Sequence, residues 1–271
     1  MVRAEGLGKG RWRLRLSRGA AAAVAAVTLA AGATILLAPP GRGAAAAIDR
    51  CGAGDEVATF ARPLPHVARR ILTGGTLTIV ALGSSSTSGV GASRPENTYP
   101  NRLALVLDGR FPELWVRVVN RGVPGEEALA MAARLDRDVL PEHPDLVIWQ
   151  VGTNAVLRDA DPNTIGEAVH AGIERIRAAG ADVMLMNPQY APAMLQHEHY
   201  REMLRALDAV AFADDVPLFP RFAIMRHWAE DGRMPLGMML SRDRLHMTDV
   251  SYDCLAREVG ASLDAIVRTR S

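Results

Sequence analysis

From Thr76 onward, short runs of aliphatic and β-branched residues alternate with longer stretches whose apolar positions recur at helical spacing. The short runs predict strands at 77–82, 115–119, 146–151 and 183–186, with a brief fifth at 216–219. The stretches between them predict helices over 99–107, 126–140, 164–179, 195–212, 222–230 and 250–268. Strand followed by helix, repeated, points to a parallel sheet covered on both faces. Leu146-Val147-Ile148-Trp149 has no polar position, as expected of a strand buried on both sides. Ahead of the first strand, residues 48–75 contain Pro63, Pro65 and Gly74-Gly75 and form a lead-in segment, with a short helix predicted over 67–72.

Composition adds an asymmetry. The 271 residues are 49% hydrophobic and 23% charged, an ordinary globular mixture that excludes a wholly disordered or polytopic membrane chain. The formal charge of +1 joins two unlike parts. Residues 1–47 hold seven basic residues and one acid, Glu5, which leaves 24 basic against 29 acidic residues in the body. A net charge of about −5 there argues against a nucleic-acid partner. In the N-terminal part, basic residues from Arg11 to Arg18 precede an uncharged, Ala-rich stretch at 19–38. That is the order of an export signal, with Ala-x-Ala cleavage sites at 44–47, and the stretch is also long enough to remain as a membrane anchor. The expectation is therefore a chain exported to the periplasm, the exterior or the outer face of the cytoplasmic membrane, touching membrane only through an uncleaved N-terminus. About 224 residues remain, enough for one three-layer α/β domain over 76–271 behind the lead-in. The two cysteines, Cys51 and Cys254, leave two readings open: a disulfide formed after export, or two unrelated buried thiols.

The unusual residues cluster after the strands, where open parallel sheets bind ligands. Gly83-Ser84-Ser85-Ser86-Thr87-Ser88-Gly89 follows the first strand, Asn120-Arg121-Gly122-Val123-Pro124-Gly125 the second and Gly152-Thr153-Asn154 the third. Asp243-Arg244-Leu245-His246 precedes the last helix. Such a set supports acyl transfer, because a serine hydroxyl needs a base to take its proton and the base needs a group to hold its tautomer. His246 suits the base and Asp243 the orienting carboxylate, three residues apart at a helix entry. Glycine N–H groups and the Asn154 amide can serve an oxyanion.

These four blocks, in order, resemble those of the SGNH (GDSL-type) hydrolase family, and the resemblance extends over 77–267. The resemblance implies a flavodoxin-like αβα fold with a sheet of about five strands, no metal and no organic cofactor. It also implies Ser85 as nucleophile, His246 and Asp243 as its partners, and the Ser85 N–H, Gly122 N–H and Asn154 side chain as oxyanion donors. Two positions depart from the family pattern: Ser84 and Ala155 stand where Asp is common.

Other residues attract weaker readings. A Ser/Gly loop after a strand also suits a phosphate, but the lysine and the Gly-x-Gly-x-x-Gly spacing of such loops are missing. His197-Glu198-His199 invites a metal, yet neighbouring helical positions point apart and His-Glu-x-x-His is absent, so no metal is expected there. Met225, Met234, Met238, Met239 and Met247 read first as core filler and second as an acyl-accepting wall, with residues 232–241 as a flap beside the site. The sequence thus predicts an exported serine esterase acting on small acyl groups, such as acetyl on envelope glycans. The competing functions are a lysophospholipase or thioesterase, an acyltransferase using the same serine, and a non-catalytic glycan binder.

Overall fold

The computed structural model describes residues 50–52 and 62–268, all within the unit Ala47–Ser271. The export segment expected over 1–47 lies outside the described residues, as does part of the lead-in.

Five parallel strands form one sheet: β1 (Gly75–Gly83), β2 (Leu114–Gly122), β3 (Leu146–Gln150), β4 (Asp182–Met186) and β5 (Leu218–Phe219), in the order β2-β1-β3-β4-β5. This is the flavodoxin-like order, whose winding reverses between β1 and β3. β3 and β4 are buried along their whole length, in line with their unbroken apolar runs. Along the chain the helices are α1 (Pro65–Thr73), the one-turn α2 (Ser85–Ser88), α3 (Tyr99–Arg110), α4 (Ala128–Ala133), α5 (Thr153–Leu157), α6 (Pro162–Ala178), α7 (Pro192–Leu195), α8 (Tyr200–Ala213), α9 (Arg221–Glu230), α10 (Leu236–Met239) and α11 (Asp249–Arg268). α3 packs on α11, while α4, α6 and α8 pack in series, giving the outer layers of an αβα sandwich.

The layers meet through matched shapes and caps. Trp149, fully buried on β3, lies against Gly172 of α6, where a Cβ would stand 2.4 Å from the indole ring. α1 begins at Pro65, and its His66 and Val67 N–H groups donate to Asp182 Oδ2 at 2.8 and 3.0 Å, so a carboxylate on β4 caps a distant helix.

Three predicted elements differ. The helix expected over 126–140 is α-helical only at Ala128–Ala133, then widens into a π turn at Leu135–Val139 and a 3₁₀ turn at Leu140–Glu142. Leu135 and Val139 are both buried, and Pro141 has no N–H to continue an α-helical ladder. The helix expected over 195–212 is split by a turn at 196–199. There His197 Nδ1 lies 3.0 Å from Asp159 Oδ1 and His199 Nδ1 lies 2.7 Å from Glu202 Oε2. The fifth strand is reduced to Leu218–Phe219, next to Pro217.

Cys51 and Cys254 form a disulfide with Cα atoms 4.7 Å apart, so the two cysteines pair rather than lie as unrelated thiols. It fastens the lead-in to α11, and the Trp228 indole N–H donates to the Cys51 carbonyl at 2.9 Å. Segment 232–241 is folded against the body: Met234 and Met239 are buried and Leu240 pairs with Met247 in an isolated bridge. Met225 and Met247 are buried as well, and only Met238 of the five is exposed, as core filler requires.

Candidate active site

The serine loop is a tight turn anchored from below. Gln150, the last residue of β3, is fully buried, and its Oε1 accepts from Ser84 N (3.0 Å), Ser84 Oγ (3.2 Å) and Thr87 Oγ1 (3.2 Å). These bonds fix α2, whose first residue is Ser85, at the switch between β1 and β3. They also account for Ser84: its hydroxyl donates to the Gln150 oxygen, which an ionised Asp could not do. Ala155, the second departure, is buried in α5 with no polar side chain to satisfy.

Ser85 Oγ lies 2.7 Å from His246 Nε2, and His246 Nδ1 lies 2.6 Å from Asp243 Oδ2. Asp243 organises its whole turn, since its Oδ1 accepts from Leu245 N and His246 N, both at 3.0 Å, and from Ser241 Oγ at 2.7 Å. Burial pushes the Asp243 carboxyl upward, but the His246 ring, the two backbone N–H groups and the Ser241 hydroxyl outweigh it and hold the carboxyl well below the usual carboxylate range. Asp249, at the start of α11, accepts from Ser93 N, Ser93 Oγ and Asn97 Nδ2, and the Tyr252 hydroxyl donates to Val90 O at 2.7 Å. The segment after Ser85 is thereby tied to the helix after His246.

The expected oxyanion donors fall differently. The Ser85 N–H has no acceptor among the described residues and is open to a ligand. Asn154 Nδ2 donates one hydrogen to Glu126 O at 2.7 Å and keeps its second. The Gly122 N–H, by contrast, donates to Asn120 Oδ1 at 2.9 Å, so its only hydrogen is taken within its own loop. Gly122 is a glycine for another reason: a Cβ there would stand 2.1 Å from Ser88 N and 2.6 Å from Thr87 C, inside the serine turn. The free N–H of this loop belongs to Gly125, which has no acceptor among the described residues and precedes the residue whose carbonyl Asn154 contacts.

Three supporting residues were not singled out in the sequence. Buried Arg134 donates to Glu126 Oε2 and Arg121 O, both at 2.7 Å, and so braces the loop that carries Gly125. Arg221, also fully buried, donates to Asn187 O at 3.0 Å and to Gln189 Oε1 at 2.8 Å. Burial pushes its guanidinium down to about 10, which leaves it charged at neutral pH. Gln189 also accepts from Thr153 Oγ1 at 2.8 Å and reaches Leu245 O at 3.5 Å, linking the third block to the residue before His246. Only Gln150 left a sequence signal, as the polar end of an apolar strand; Arg134, in the turn just after α4, and Arg221, the first residue of α9, sit in patterns that look ordinary. Among the described residues no group of three or more His, Cys, Asp or Glu side chains is arranged to hold a metal ion, and His197, Glu198 and His199 sit in a turn with acidic partners for both rings.

An acetylxylan esterase of Geobacillus stearothermophilus is 33% identical over 92 residues, 31% of this chain and 42% of that protein. Esterase TesA of Pseudomonas aeruginosa is 30% identical over 110 residues, 39% of this chain and 52% of that protein. The chain thus spans about half the length of these relatives. Among solved structures, a two-domain esterase active on acetylated mannans, co-crystallised with mannopentaose, superposes with a TM-score of 0.64 at 22% identity over 78% of this chain and 56% of that one. The crystal structure of TesA superposes with a TM-score of 0.58 at 23% identity, covering 70% of this chain and 99% of the other. At such identities these superpositions establish the fold. The sequence model of the Non-GDSL lipase-like family matches residues 50–269, nearly the entire body, and the chain belongs to that family.

Proposed function

We propose that the protein is a serine esterase that hydrolyses short-chain carboxylic esters through an acyl-enzyme on Ser85. The observation that carries this reading is the unbroken line of contacts from Ser85 Oγ to His246 Nε2 (2.7 Å) and from His246 Nδ1 to Asp243 Oδ2 (2.6 Å). With the Nδ1 proton held by Asp243, Nε2 presents its lone pair to the serine hydroxyl and takes its proton as Oγ attacks the ester carbonyl carbon. The carbonyl oxygen gains the negative charge and is met by the Ser85 N–H, the Gly125 N–H and the second hydrogen of the Asn154 amide. Collapse of this intermediate expels the alcohol, which leaves with the proton from Nε2. Water then repeats the sequence: His246 takes its proton, the hydroxide oxygen attacks the acyl carbon, and the carboxylic acid departs as Ser85 Oγ recovers its hydrogen.

An acetyl group on a glycan is the substrate that best fits the relatives, two of which are described as an acetylxylan esterase and an esterase active on acetylated mannans. Export is supported by the basic and apolar order of residues 1–47 and by the Cys51–Cys254 bond, since disulfides persist in oxidising compartments. Replacing Ser85 with Ala tests the mechanism. Turnover of p-nitrophenyl acetate is expected to fall by at least about 10⁴-fold in a protein that keeps its wild-type melting temperature; retained turnover would refute the assignment.

A further inference from the structure

Beside the Asp243 turn lies a pocket of about 360 Å³ that the mechanism does not use. Pro192, Leu236 and Leu240 give it an apolar wall, and Ser241, Arg242 and Arg244 complete it. It adjoins the Asp243 carboxylate through shared residues: Ser241 lines the pocket while its hydroxyl donates to Asp243, and Arg244 follows Asp243 directly.

The two arginines differ from most others in the protein. Arg102, Arg121, Arg134, Arg158 and Arg175 each engage a carboxylate. The side chains of Arg242 and Arg244 are exposed and, among the described residues, have neither an ion pair nor a hydrogen bond. Arg244 also occupies the left-handed region, with φ +57°, where Gly or Asn would be less strained. An arginine kept at such a position, beside another, in a body with a net charge of about −5, concentrates positive charge where the surroundings do not otherwise attract anions. Guanidinium groups match the planar geometry of carboxylate and phosphate oxygens, and the apolar wall suits a short hydrocarbon arm or ring leading to them.

We propose that this pocket is a specificity site for an anionic group, a carboxylate or phosphate, carried by the ester substrate on a short apolar arm. The proposal rests on the esterase reading of Ser85 and adds the substrate class to it. The charge can sit on the acyl side or on the alcohol side of the ester. Two matched pairs separate these sources: p-nitrophenyl hemisuccinate against p-nitrophenyl pentanoate, and 4-acetoxybenzoate against its methyl ester. The wild-type protein is expected to favour the anionic member of one pair by about tenfold or more in kcat/KM, and that pair identifies the side that carries the charge. In the Arg242→Gln, Arg244→Gln double variant the anionic-to-neutral ratio is expected to fall by about tenfold or more, and in the wild type the preference is expected to weaken with rising salt. The same ratio in both proteins for both pairs would overturn the proposal. Loss of the esterase reading would show separately, as no turnover of any of the four esters by the wild type. In that event titration calorimetry with the same four compounds still decides: tighter binding of an anionic member, abolished in the double variant, sustains the pocket, and equal binding overturns it.

Discussion

The serine turn and the histidine turn meet at one hydrogen bond but are built in opposite ways. In residues 83–88 only Ser85 and Ser88 are partly exposed, and the turn is held from beneath by a fully buried glutamine and packed so closely that neither Gly83 nor Gly122 has room for a Cβ. Residues 242–244 are exposed, and their geometry comes from one carboxylate that accepts three hydrogen bonds on its Oδ1 and the imidazole on its Oδ2. Ser85, the proposed nucleophile, is therefore positioned by the core, whereas His246, the proposed base, is positioned by local bonds at the surface. A change in the first region should cost stability and activity together; a change in the second should cost activity with little effect on stability.

The largest effect is expected from Asp243→Asn. The new side chain keeps an oxygen for the Leu245 and Ser241 donors, but its amide would face Nδ1 with hydrogens and force the wrong imidazole tautomer. A drop in kcat of about 10⁴-fold with an almost unchanged melting temperature is expected. The pH profile sharpens the same point. Because Asp243 is held below the usual carboxylate range, it stays ionised as pH falls through that range, and its protonation should remove no kcat/KM there. A loss of kcat/KM centred near pH 4, about where an unperturbed Asp titrates, and traceable to Asp243 would contradict this placement.

Gln150→Leu probes the buried side. It leaves the Ser84 N–H, the Ser84 hydroxyl and the Thr87 hydroxyl without their acceptor, at about 1–3 kcal/mol for each group that stays unpaired. Chemical denaturation should show that loss, and turnover should fall with it. Reduction of the Cys51–Cys254 bond, remote from the reacting atoms, should have the smallest effect on catalysis. It is expected to cost about 2–4 kcal/mol of stability, read as a fall of about 5–15 °C in melting temperature, while kcat at 25 °C stays close to that of the oxidised protein.

The same contrast explains how much the sequence revealed. The strands and the layers that cover them follow from apolar runs such as 146–149, because burial on both faces leaves no polar position to blur the pattern. Ser85, His246 and Asp243 stood out in the sequence because the roles proposed for them demand particular side chains at particular loops. Gly125 was not, because a backbone N–H leaves no residue-type signature: Gly122 and Gly125 both satisfy the pattern, and only the bond from Gly122 to Asn120 separates them. Arg134 and Arg221 were hidden for a related reason, since an arginine at a helix end reads as solvent-facing until the loops it braces are in place. The end of α4 was missed because Pro141 acts on carbonyls several residues earlier, inside a pattern that is still apolar.

The central claim, that Ser85 is activated by His246 and Asp243, is tested most directly by labelling with a fluorophosphonate and locating the adduct by mass spectrometry. One adduct per chain is expected, on the peptide carrying Ser85, lost in Ser85→Ala and formed far more slowly in Asp243→Asn. A folded protein that takes no label, or takes it equally well with Ser85 replaced, would contradict the account.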